Sequence, residues 1–173
     1  TMAQTFNCFY PLVAFAATKN MAAVLNSHAS EVLKIRRITL YNDQTAAVTG
    51  VVCPIELRTY LTGSPGLTAP TAVTPTTFDS TNTNPTTATY GYAGTIAGTA
   101  TTHRRIIWSS DEPVVSAATS DELENYPALN VLYEWQPHSD VQPITLRQNQ
   151  MVMVYNVSGA AGLLSTSIEF TKE

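Results

Sequence analysis

A chain of 173 residues is long enough for one domain with a substantial core and short for two. Only 13% of its residues are charged, against roughly 25% in an average soluble protein, so Thr, Ser, Asn and Gln must supply most of the polar surface. The net charge of −4 excludes the basic footprint that wrapping nucleic acid requires.

Phe6, Phe9, Tyr10, Leu12, Val13 and Phe15 make an apolar start around Pro11. The missing N–H of Pro11 predicts an edge strand, or a strand that begins after it. Residues 1–18 therefore read as an N-terminal arm or an edge strand. Phe6, Phe9 and Tyr10 are candidate anchors for a groove on a neighbouring subunit; the alternative is that the arm completes its own sheet. The apolar run 9–17 lacks the basic leader of a secretory signal and is too short to cross a bilayer, so no membrane partner is expected.

Met21 to Leu25 is either a short strand or the start of a helical turn, and residues 26–30 form a turn. Residues 31–41 are the clearest strand. Leu33 and Ile35 share one face while Ile38 and Leu40 take the opposite parity, which predicts a β-bulge across Arg36-Arg37. In residues 47–61, Val51, Cys53, Ile55 and Leu57 lie on one face, and Glu56 and Arg58 on the other. Pro54 suggests an edge position or a bulge there.

Residues 62–102 are a nearly uncharged insertion rich in Thr, Pro and Gly. Within it, Asp79 to Asn82 reads as a turn held by its own side chains rather than a calcium loop. Gly91, Gly94 and Gly98 permit close backbone approach and do not match a phosphate loop. Strands follow at 105–109, 129–135, 143–147, 151–157 and 164–171, with Val131, Tyr133 and Trp135 expected on one face. The acidic stretch 116–126 is a short helix or a loop, and the glycine-bearing loop at 158–162 predicts a hairpin between the last two strands. Many short strands without 3.6-residue periodicity give an all-β antiparallel sandwich, a single domain over residues 1–173.

The chemistry-bearing residues are scattered. His28, His103 and His138 are isolated, and no metal-ligand spacing is present, so no metal or cofactor is expected. In Asp111-Glu112 and Asp121-Glu122, adjacent side chains point to opposite faces of a strand and make no acid/base couple. Cys8 and Cys53 permit a disulfide without demanding one. Tyr90, Tyr92, Trp108, Tyr133 and Trp135 read as core rather than as a sugar platform. Arg36-Arg37 and His103-Arg104-Arg105 read as solvated strand faces or interface ion pairs. A scaffold or binding role is expected, not an enzyme.

Val73-Thr74-Pro75, then Phe78-Asp79-Ser80-Thr81-Asn82 with its Ala/Thr-rich continuation, resembles a loop of jelly-roll virion proteins of tailed bacteriophages. Val32 to Ile38, Gln142 to Arg147, Met151 to Tyr155 and Ser167 to Phe170 are similar to strands of the same proteins. Gln148-Asn149-Gln150 departs from them where Gly is more usual. The resemblance implies a jelly-roll-like capsid decoration (cement) protein on the outer surface of a phage head. It further implies the major capsid protein as partner, a homotrimer, and a place in the virion after assembly in the host cytoplasm. The rival expectation is a tail-fibre or receptor/carbohydrate-binding head module.

Overall fold

Alternating apolar and polar residues form strands throughout this computed structural model, which describes residues 3–43, 51–85, 87–110, 131–158 and 162–173. The strands are β1 (Gln4–Ala14), β2 (Lys19–Asn26), β3 (Leu33–Asn42), β4 (Val51–Tyr60), β5 (Gly66–Thr68), β6 (Thr71–Ala72) and β7 (Thr76–Thr77). They continue with β8 (Ala88–Tyr92), β9 (Thr95–Ala97), β10 (Thr101–Ser110), β11 (Val131–Trp135), β12 (Ile144–Leu146), β13 (Gln150–Asn156) and β14 (Leu163–Lys172). No described residue is helical, so Met21 to Leu25 belongs to a strand. The acidic stretch 116–126 and both acid pairs lie outside the described residues.

Two six-stranded antiparallel sheets form a sandwich. The first runs β11-β3-β14-β1-β7, with β12 also on β3; the second runs β10-β4-β13-β2-β8-β6. Consecutive long strands mostly change sheet, as β1 to β2, β2 to β3, β3 to β4 and β13 to β14 all do. The last of these corrects the expected hairpin: β13 and β14 lie in different sheets. Each instead finds its partners elsewhere, β13 between β2 and β4, and β14 between β1 and β3.

The predicted bulge is present. Glu169 pairs with Arg37 and Phe170 with Ile35, leaving Arg36 as the extra residue. It lets Ile35 and Ile38 both face the core, at 0% and 1% exposure. A second irregularity separates Val131 from Tyr133, so Val131 is exposed while Tyr133 and Trp135 pack on the core, against the expectation of a shared face. Pro54 does not mark an edge. β4 lies between β10 and β13, and the proline falls just beyond the last β4–β13 pair, Ile55 with Asn156, where its missing N–H interrupts no pairing in that ladder.

The Thr/Pro-rich stretch is woven into both sheets rather than inserted between strands. It supplies β7 to the first sheet and β6 and β8 to the second. Its separate β5–β9 pair lays Leu67 and Ile96 over Ala23, Leu25, Met151 and Met153, closing the outer face of the second sheet. Asp79 Oδ1 accepts from the Thr81 N–H (2.9 Å) and hydroxyl (2.8 Å), making the expected side-chain turn. Lys172 donates to the Thr83 carbonyl (2.9 Å) and lies 3.6 Å from Glu31, tying the stretch to β14.

Its deepest tie is Tyr90. The ring stacks on Phe170 at 5.7 Å between centroids, and Phe170 stacks on Phe6 at 5.5 Å. This column joins β8 of the second sheet to β14 and β1 of the first. The next residue, Gly91, must be glycine for space: a Cβ there would lie 2.7 Å from both Pro70 Cβ and the Thr71 carbonyl oxygen. Gly91→Ala is expected to destabilise the fold by about 1–3 kcal/mol through overpacking. Thermal melting followed by near-UV circular dichroism checks it, and an unchanged midpoint would show that the strap yields freely.

Candidate functional site

The two sheets treat their outer faces differently. That of the second sheet carries the β5–β9 cover. Beyond the cover, Glu56 accepts from Arg58 Nε (2.6 Å) and the Thr102 hydroxyl (3.2 Å) and lies 3.5 Å from Arg105 Nε. Arg58 is in turn stacked 3.7 Å over the Tyr155 ring. Glu56 is 8% exposed, so these groups neutralise a nearly buried carboxylate within the fold.

The outer face of the first sheet has apolar side chains in solvent. Partners directly opposite on antiparallel strands share a face, and Phe9, Ser167, Thr39 and Glu134 line up across β1, β14, β3 and β11. The neighbouring row sets Ser165 beside Tyr41 and Tyr41 beside Val131. Phe9 meets Tyr41 edge-on at 6.3 Å between centroids. Phe9, Leu12 and Val131 are 43%, 49% and 46% exposed, over a floor of buried Ser165, Ser167 and Thr39.

Local chain geometry holds this floor. The register of β1 on β14 slips between Tyr10 and Val13, so the strand continues through Pro11 with an irregularity at Pro11-Leu12. Leu12 has φ 48°, a left-handed conformation costly for a residue of its size. Its N–H is received by Ser165 Oγ at 2.9 Å, and the same hydroxyl donates to Asp43. Ser167 donates to Asn7 Oδ1 at 2.6 Å. The opposite end of the face is charged, with Arg37 donating to Glu169 at 2.8 and 3.0 Å.

The three candidate anchors separate. Phe6 and Tyr10 are fully buried, and the Tyr10 hydroxyl donates to the Ala23 carbonyl of the facing sheet at 2.7 Å. Alternation along β1 turns both inward, so this chain's own core takes the side chains assigned to a neighbour's groove. Only Phe9 faces outward. Residues 4–14 form a strand rather than a free arm, paired along β14 and, at Phe6 and Asn7, with β7. The neighbourhood of Leu12, Tyr41 and Val131 is invisible to local spacing because it depends on two irregular registers and on three strands, β1, β3 and β11, that lie far apart along the chain.

Among the described residues, the histidines and cysteines sit apart or are spent on the fold. His28 Nδ1 accepts from the Glu31 N–H (2.9 Å) and the Ser30 N–H (3.2 Å), closing the β2–β3 turn. His103 Nε2 bonds the Thr59 hydroxyl at 2.7 Å, and His138 lies in the segment between β11 and β12. Among the described residues no group of three or more His, Cys, Asp or Glu is placed to hold a metal. A cavity bordered by Ile38, Leu40, Ile55, Leu57 and Ile106 measures about 10 Å³, room for at most one water. Comparison with protein-family models, with curated proteins and with solved structures finds no match for this chain.

Cys8 and Cys53 are buried and are not joined in a disulfide. Burial pushes the Cys8 thiol up from 9.0 to about 11, with Tyr10 partly opposing the shift. The native state therefore keeps its proton where the unfolded chain loses it. The resulting stability is whole below pH 9 and falls as pH rises above it, with a slope near 1.4 kcal/mol per pH unit, until above pH 10 the Tyr10, Tyr60 and Tyr90 hydroxyls, also pushed up by burial, add to the loss. Urea unfolding between pH 9 and pH 10 is expected to show the fall due to Cys8, and Cys8→Ala to flatten it there. An equally steep fall in the variant would assign the effect to another group.

Proposed function

We propose that this chain is a structural virion protein that decorates a phage capsid. It docks on the outer surface of the head, contacts the major capsid protein, reinforces the shell and acts as a homotrimer. The strand order supports the reading. The longer strands fall into β1-β14-β3-β11 and β2-β13-β4-β10, which we read as the two four-stranded sheets of a jelly roll, an architecture used by viral capsid and lectin domains.

The observation that carries the proposal is the outer face of the first sheet. Its aromatic and aliphatic side chains emerge from a neutral hydroxyl floor that costs less to desolvate than a charged one. A specific interface needs roughly 1,200–2,000 Å² of total buried surface, and a sheet face carrying Phe9 and Tyr41 offers the aromatic anchors that concentrate binding energy. Symmetry-related copies then add avidity without new contacts.

Phe9→Arg tests the face without removing the fold. Losing the edge-on pair with Tyr41 costs about 1 kcal/mol of stability, whereas binding to emptied capsids is expected to weaken roughly thirtyfold, the equivalent of an anchor worth about 2 kcal/mol. Wild-type affinity in a folded Phe9→Arg protein would eliminate this face as the docking surface. Sedimentation of the wild-type protein at micromolar concentration is expected to show a trimer, and a monomer both free and on the particle would refute the assembly. A deletion of residues 1–10 would not isolate this face, because it also strips Phe6 and Tyr10 from the core.

A further inference from the structure

A cleft of about 430 Å³ opens where β12 joins β3, near the charged end of the first sheet. Its base is fixed by backbone. Val32 N–H donates to the Glu173 carbonyl at 2.9 Å, and Glu173 N–H returns a bond to Val32 at 3.0 Å. Thr145 pairs with Lys34 in the β12–β3 ladder, so the two stand side by side. The cleft is therefore set by sheet register, and its volume falls within the roughly 300–1,000 Å³ of small-molecule sites.

Charge on its walls is uneven. Lys34 and Arg36 both approach the Glu173 carboxylate, at 2.5 and 3.8 Å. Arg147 stands on the wall formed by β12 and has no carboxylate partner among the described residues. Two cations, Lys34 and Arg147, thus line the cleft with one side-chain carboxylate, in a chain whose net charge is −4. A free guanidinium presents a planar fork that matches a carboxylate.

The remaining wall groups narrow the ligand. The Gln142 amide and the Ser30 and Thr145 hydroxyls donate and accept hydrogen bonds, while Val32 and Pro143 add apolar surface. Glu173 repels a second negative group and accepts from hydroxyls. A single carboxylate on a polyhydroxylated ring satisfies this set; a phosphate dianion or a run of acidic side chains does not.

We propose that this cleft binds a sugar acid, a pyranose bearing one carboxylate, as a unit of an acidic polysaccharide. Arg147 takes the carboxylate, Gln142 and Glu173 take ring hydroxyls, and Val32 and Pro143 receive the apolar face of the ring. The site stands on its own geometry and does not depend on the capsid reading.

Titration of the ¹⁵N-labelled protein with sodium glucuronate, followed by amide shifts, tests it, with glucose, acetate and hexaglutamate peptide as parallel arms. Saturable shifts at Lys34, Thr145 and Arg147 with a Kd of about 1 mM are expected. Arg147→Ala should weaken glucuronate at least about tenfold, and Gln142→Ala should weaken glucuronate while leaving acetate unchanged. Both positions are exposed, and the same spectra report whether each variant keeps the fold. Absence of saturable shifts overturns the proposal, as does acetate or glucose binding as tightly as glucuronate. Tighter binding of hexaglutamate would reassign the cleft to acidic peptides and equally overturn it.

Discussion

The column of Phe6, Phe170 and Tyr90 is the interaction on which the rest of the sandwich depends. It joins the first and last long strands of the chain to a residue from the middle of the Thr/Pro-rich stretch. Each stacked pair adds roughly 0.5–1.5 kcal/mol beyond the burial of its rings. The larger effect is topological, since three segments far apart in sequence meet at one place between the sheets. The Tyr10 hydroxyl bond to the Ala23 carbonyl adds a second cross-sheet tie and satisfies a buried donor.

Once Tyr90 is seated, the strap has little freedom. Gly91 lets its backbone press against Pro70 and Thr71, and Gly94 does the same against Leu67. The β5–β9 pair is thereby brought over the outer face of the second sheet, and the apolar surface of Met151, Met153 and Leu25 is closed off. The first sheet receives no such cover among the described residues. The strap gives it only the two-residue β7, beside Phe6 and Asn7, which leaves the outward side chains of β1 beyond that point in solvent. The division of the molecule into a closed face and an open face follows from where one uncharged stretch is pinned.

Backbone irregularities shape the open face. The extra residue Arg36 puts two arginines in succession outside the core, one paired with Glu169 and the other bonded to Thr171. The irregularity at Pro11-Leu12 places an unusual left-handed leucine beside Ser165. Apolar groups consequently collect at one end of the face and ion pairs at the other. That polarity underlies both the proposed docking surface and the proposed sugar-acid site.

Alternation determined most strands from the sequence alone. Cys53, Ile55 and Leu57 face the core as their period of two requires, and the broken parity of Ile35 and Ile38 marks a bulge across Arg36-Arg37, which falls at Arg36. Asp79 declared its turn because the interaction spans only two residues. Which strands are neighbours was decided by tertiary structure. The run 158–162 looks like a hairpin loop locally, yet β13 and β14 part to opposite sheets, β13 pairing with β2 and β4 and β14 with β1 and β3. Phe6 and Tyr10 gave no sign of whose core they would fill, since an apolar residue reads the same in a subunit's groove and in its own interior. The open face and the cleft were illegible for the same reason. Phe9 with Tyr41, and Arg147 with Lys34, are joined only by sheet order and register, and those are set by long-range packing that no local spacing encodes.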